Sequence, residues 1–174
     1  MVSKLINDIS KHHKIVITYN TFSEMYLDTF LNLLKNYIGV KNYTLFNKID
    51  TFLMDLGNTN PNNHYNILHC GDYLSNDDNK TIIKKVKSHR YIILYRRYTT
   101  IVYKIPFSFS DNSMSPLLYD SDLIVNFEES SFHISKDRQY SHDIEQNKKY
   151  ELPELELEER RFKIKKIINK LNHV

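Results

Sequence analysis

The chain has 174 residues, 41% of them hydrophobic and 13% aromatic, with a formal net charge of +3. That is enough apolar material for one domain with a proper core, and it argues against a disordered tail. No apolar run approaches the ~20 residues that cross a bilayer, the N-terminus lacks a signal-peptide core, and a lone cysteine, Cys70, rules out an intrachain disulfide or a cysteine-based zinc cluster. The expected setting is therefore reducing and intracellular, the cytoplasm or nucleus of a host cell, with no membrane partner and no secretion. Abundant Asn, Ile, Lys, Tyr and Asp beside only three Gly and no Ala point to an AT-rich genome, viral or phage in kind. A pI near 8.8 permits nucleic-acid binding without demanding it.

Residues 2–12 predict a short helix carrying Leu5, Ile6 and Ile9. Ile15-Val16-Ile17-Thr18-Tyr19 is a β-branched run, the mark of a strand buried on both faces. From Ser23 onward, Met25, Tyr26, Phe30, Leu33, Leu34 and Tyr37 fall near helical spacing, with Ser23 or Thr21 as cap and Gly39 as terminator. A strand at Tyr43-Thr44-Leu45-Phe46, a short helix or strand around Phe52-Leu53-Met54, and a loop over 57–63 follow. Tyr65 to Cys70 predicts a strand ending at Gly71-Asp72, and Asp77-Asp78 a capped helix through Ile82, Ile83 and Val86. Tyr91 to Tyr95 and 99–105 read as strands, 106–116 as a long loop, and 122–127 with 131–135 as a terminal hairpin. Strands and helices alternate early and strands cluster late. The fold class is α/β: a three-layer core with a mostly parallel sheet over 1–135. A polar linker at 136–150 leads to a C-terminal helix at 151–174.

These segments together resemble the RecA/DnaB-type ATPase core. HKIVITYNTFSEMYLDTFLNLL (13–34) stands where that family has its first core strand, phosphate loop and following helix. YNILHCGDYL (65–74) looks like its second acidic motif, KSHRYIILYRR (87–97) like its sensor strand, and LLYDSDLIVNF (117–127) with FHISKDR (132–138) like its closing strands. The departure is in the loop. A phosphate loop needs glycines that let backbone N–H groups approach phosphate, then a Lys and a Ser/Thr. Here it reads Asn20-Thr21-Phe22-Ser23-Glu24-Met25-Tyr26, without glycine or lysine. Asp72 keeps the place that would help hold magnesium, but it lacks a loop hydroxyl partner. The resemblance thus implies a scaffold without ATPase activity and without a cofactor.

Three further sets of residues carry candidate chemistry. The basic, tyrosine-laced set Lys84, Lys85, Lys87, Arg90, Arg96, Arg97, Tyr98 and Lys104 has the cations that neutralise phosphates and the rings that stack on bases. The resemblance implies that Arg96, Arg97 and the 106–116 loop face single-stranded DNA. The plainer account is a solvated helix end with tyrosines in the core. Asp72, Asp77 and Asp78 are candidate metal ligands for a nuclease-like centre, although helix capping and a turn explain them more simply. His69 beside Cys70 reads as a core residue rather than a ligand. In the last segment, Leu157, Ile164, Ile168 and Leu171 form an apolar stripe flanked by Phe162 and Ile167. Glutamates fill its first half, and arginines and lysines its second. That helix either docks on its own domain or protrudes to bind a partner or another copy.

The leading expectation is a non-catalytic accessory protein of viral or phage DNA replication, recombination or packaging, binding nucleic acid, a replication or recombination partner, or itself. The alternative is a protein-interaction or structural factor, such as an inhibitor of a host enzyme, acting through the C-terminal helix. A metal-dependent nuclease comes third.

Overall fold

The computed structural model describes residues 2–39, 43–55, 58, 64–69, 76–86, 89–96, 115–137 and 148–172. In chain order the elements are α1 (Val2–Ile9), β1 (Lys14–Tyr19), α2 (Glu24–Ile38), β2 (Tyr43–Phe46), α3 (Ile49–Asp55), β3 (Tyr65–His69), α4 (Asn76–Lys85), β4 (Arg90–Arg96), α5 (Ser115–Asp120), β5 (Leu123–Phe127), β6 (Ser131–Asp137), β7 (Lys149–Glu151) and α6 (Leu152–Leu171). The strands form one sheet in the order β2-β3-β4-β1-β5-β6-β7. The first five of these are parallel, and β6 and β7 add antiparallel. The α/β class with a mostly parallel sheet and a C-terminal helix is as the sequence predicts.

Strand alternation divides the apolar side chains between the two faces. Ile15, Ile17 and Tyr19 of β1, with Ile92 and Leu94 of β4, pack under α1, α2 and the start of α6. Val16, Tyr91, Ile93 and Tyr95 pack against Phe52 of α3, Ile82 of α4 and Leu117 of α5. The result is three layers, helices on both faces of a sheet whose central strands are buried on both sides. An aromatic ladder closes the antiparallel end. Phe30 of α2 meets Phe127 and Phe132 edge-on, and Phe132 stacks between Phe127 and Tyr150 at 5.3 Å from each.

Several local details differ from the sequence reading. Ser23 stands at the N-cap of α2 but makes no side-chain capping bond. Gly39 does end α2; its φ of 93° costs glycine nothing, and its N–H donates to the Lys35 carbonyl. The 115–120 stretch is the short helix α5, which takes in the last two residues of the expected long loop. The expected linker at 136–150 is bounded by sheet: β6 runs to Asp137, and Lys149–Glu151 pairs with Ser131–His133. Of the last segment, Glu151 belongs to β7 and the helix spans Leu152–Leu171. The expected strand at 99–105 and most of the 57–63 loop lie outside the described residues.

Candidate functional site

Open α/β sheets bind ligands beyond the carboxyl ends of their strands, where adjacent strands send their connections to opposite faces. Here that point lies between β1, followed by α2 on one face, and β4, followed by α5 on the other. Asn20–Ser23 is the turn that links β1 to α2, and it is closed on itself. The Asn20 N–H donates to Ser23 Oγ at 3.1 Å, and the Ser23 N–H donates to Asn20 Oδ1 at 2.9 Å. Ser23 Oγ lies 2.9 Å from the same Oδ1, and both side chains are buried. Two of the amides that a phosphate-cradling loop would turn outward are therefore engaged with side chains.

Arg96, at the end of β4, bends onto this turn. Its guanidinium donates to Thr21 Oγ1 at 3.0 Å and lies 3.8 Å from the Glu24 carboxylate. Beside it, the buried Tyr19 hydroxyl and His69 Nε2 share a hydrogen bond of 2.6 Å. His69 is half-buried rather than a pure core residue, and its contact with Tyr19 was not legible from spacing. The pair joins the ends of β1 and β3 across β4.

The basic set is divided between the two edges of the sheet. β4 runs from Arg90 to Arg96, so these arginines are separated by roughly 20 Å of extended chain. Arg90, at the amino edge, is 5.2 Å above the Tyr65 ring and donates toward His13 Nε2 at 3.2 Å. The Tyr65 hydroxyl in turn meets the carbonyls of Ser10 and His12. Burial, then the Arg90 charge, holds His13 below the ordinary histidine range. Lys84 and Lys85 are exposed in the last turn of α4, which leads directly to this same amino edge. The structure thus brings Lys84, Lys85 and Arg90 to one edge and Arg96 to the other. Lys87, Arg97, Tyr98 and Lys104 lie outside the described residues.

Also at the amino edge, Tyr91 donates to Asp120 Oδ2 at 3.3 Å, and Lys14 Nζ meets the same oxygen at 3.0 Å. Burial, with the Asp120 carboxylate beside it, pushes the Tyr91 phenol well above its ordinary range. The Lys14 N–H donates to Asp122 Oδ2 at 3.1 Å. These bonds clamp α5 to the start of β1. Of the candidate metal ligands, Asp77 and Asp78 occupy the first turn of α4, where carboxylates complement the helix dipole. Asp72 lies outside the described residues. Among the described residues no group of three His, Cys, Asp or Glu is placed to hold a metal ion.

α6 carries the largest exposed apolar feature among the described residues. It starts at the carboxyl edge, where the Leu152 N–H donates to the Ser130 carbonyl, and runs alongside α2 toward the amino edge. Leu152 and Leu155 are fully buried, Phe162 lies 6.3 Å from Tyr37, and Lys166 reaches Asn36 Oδ1 at 3.0 Å. Beyond Phe162, every described residue is exposed. At about 100° per residue, Leu152, Leu155 and Phe162 share one face, and Leu157, Ile164, Ile168 and Leu171 lie about 180° away from it. These four are 54%, 56%, 49% and 69% exposed, and the neighbouring Ile167 is 58% exposed. The stripe does not serve docking on its own domain; Leu152, Leu155 and Phe162 do.

No helix among the described residues is long and apolar enough to cross a membrane. No protein-family model matches the chain, and no curated protein matches it.

Proposed function

We propose that the chain is a non-catalytic accessory protein on a RecA-like scaffold, which works in DNA replication, recombination or packaging by holding another macromolecule on the outward face of α6. The observation that carries this reading is the stripe Leu157, Ile164, Ile167, Ile168 and Leu171, all about half exposed or more. Singly exposed apolar residues are ordinary on a protein surface; a row of five along one helix marks a contact surface. The self-closed turn at Asn20–Ser23 supports the non-catalytic half of the proposal, because its Asn20 and Ser23 amides already have partners. The central position of β1, with a helix following it at the switch point, supports the RecA-like half.

The test is a photoreactive benzophenone amino acid at position 168 of the full chain, irradiated in the cells that make it. A covalent adduct with another polypeptide is expected at position 168 and not at an exposed position off the stripe, such as 119. No adduct at 168 would defeat the reading.

A second reading, contact with single-stranded DNA, is favoured by one observation. Lys84 and Lys85 are both exposed at the amino edge, and the basic second half of α6 runs toward the same edge. Titration of labelled single-stranded DNA at rising salt tests it: affinity should fall steeply with salt, and no binding even at low salt would remove this branch.

A further inference from the structure

Resting on the reading of α6 as the working surface, we infer that its partner is the α6 of a second copy of this chain, paired antiparallel across a two-fold axis. The first argument is position. The stripe lies opposite the docked face, so a helix laid on it stands away from the described core of its own domain. The layers then run domain, α6, α6 of the second copy, second domain. The last turns of each α6, exposed beyond Phe162, lie along the outer side of the other's first turns.

The second argument is spacing. Leu157, Arg161, Ile164, Ile168 and Leu171 follow one another at intervals of four, three, four and three residues. That is the repeat that keeps a seam facing a partner helix, with side chains of one helix seated between those of the other. Arg161 is the one polar position of the seam. Its guanidinium lies 3.7 Å from Glu158 of its own helix, so its stem can cover apolar surface while its charge stays at the rim.

The third argument is charge, and it fixes direction. Glu154, Glu156, Glu158 and Glu159 fill the first half of α6, and Arg160, Arg161, Lys163, Lys165, Lys166 and Lys170 fill the second without an intervening acid. A parallel pair sets acid on acid and base on base. An antiparallel pair with Leu157 opposite Ile168 of the second copy instead sets Glu154 and Glu156 of each chain beside Lys170 of the other, and Glu159 opposite Lys166. Antiparallel alignment also opposes the two helix dipoles. Because the pairing is self-complementary, it closes at two copies and does not propagate.

Sedimentation velocity of the full chain over a dilution series tests this directly. A monomer–dimer equilibrium is expected. Ile168→Glu should weaken it by at least about thirtyfold while leaving the far-ultraviolet circular dichroism and melting of the monomer unchanged, because the Ile168 side chain is 49% exposed. Direction is read in a Cys70→Ser background: mixed Leu157→Cys and Ile168→Cys chains should form a disulfide between unlike chains, and Leu157→Cys alone should not. A monomer at every concentration, a dimer indifferent to Ile168→Glu, or a Leu157→Cys homodimer disulfide would each overturn the inference. Photoadducts at position 168 that contain only a different protein would overturn it too, and would leave the reading of α6 as a partner surface standing.

Discussion

Arg90 and Arg96 open and close the same strand, and they are held by unrelated partners at opposite edges of the sheet. Arg90 lies over Tyr65 and against His13, whereas Arg96 lies against Thr21 and Glu24. A single strand of nucleic acid that meets one of them has no short route to the other. If DNA binds, the amino edge with Lys84 and Lys85 is the better phosphate surface. The double substitution of Lys84 and Lys85 by Ala is expected to lower single-stranded DNA affinity and to reduce the slope of log affinity against log salt by about 1.4. Arg96→Ala should change neither. Fluorescence anisotropy at several salt concentrations checks both, and a loss confined to Arg96→Ala would reverse the assignment of edges.

Leu155 and Leu157 give the matched stability test. Leu155 is fully buried, so Leu155→Ala is expected to cost about 2–5 kcal/mol through lost transfer energy and the cavity left behind. Leu157→Ala removes a half-exposed side chain and should stay within about 0.5 kcal/mol when the chain is monomeric. Urea unfolding at low protein concentration measures the difference; equal costs would mean that the docked face of α6 is misassigned.

The turn after β1 makes a third test. Asn20 Oδ1 accepts the Ser23 N–H at 2.9 Å, the role a capping side chain plays at a helix start. Asn20→Ala should therefore cost about 1 kcal/mol. Wild-type protein should show no change in melting temperature with ATP and magnesium, because the Asn20 and Ser23 amides are engaged in the turn. An upward shift of several degrees would sink that expectation.

The pH dependence follows from His13 and His64. Both are held below the ordinary value of 6.5, chiefly by burial, with the Arg90 charge adding to the effect at His13. A folded-state pKa below the unfolded one means that the unfolded chain takes up protons first as the pH falls. Stability is full above 6.5 and is lost as the pH falls from there toward the folded values. Melting temperature should thus drop between about pH 7 and pH 5, and the His13→Asn, His64→Asn double variant should drop less. An identical profile for the variant would assign the loss to other groups.

The parts of the fold that were readable are those where burial is extreme. Ile15-Val16-Ile17 and Ile92-Ile93-Leu94 announce central strands because both faces are covered, and no polar alternation survives. β7 gave no such signal: it has three residues, and only Tyr150 turns inward, too short a stretch for a period of two. α5 was hidden in the same way, six residues in which Leu117 is fully buried while Tyr119 is exposed. In α6 the order of apolar residues suggests one stripe with Phe162 beside it, but Phe162 belongs to the docked face and the stripe to the other. Angular spacing could have separated them. The split of the basic set was likewise implicit in the length of β4. The reciprocal bonds of Asn20 and Ser23 depend on the path of the turn, and nothing in the order of residues announces them.

β7 passes into α6 without an intervening loop, its last residue being Glu151 and the first of the helix Leu152. The helix is thus clamped at its root by a strand pairing and by buried Leu152 and Leu155, and along α2 by Phe162 and Lys166, while its last turn is exposed. Mechanically it is a rib about 30 Å long, fixed at its root and along α2, rather than a tethered bait. Whatever seats itself on the stripe is held at a set angle to the sheet, and a pull on the tip is shared between α2 and the antiparallel strands β6 and β7.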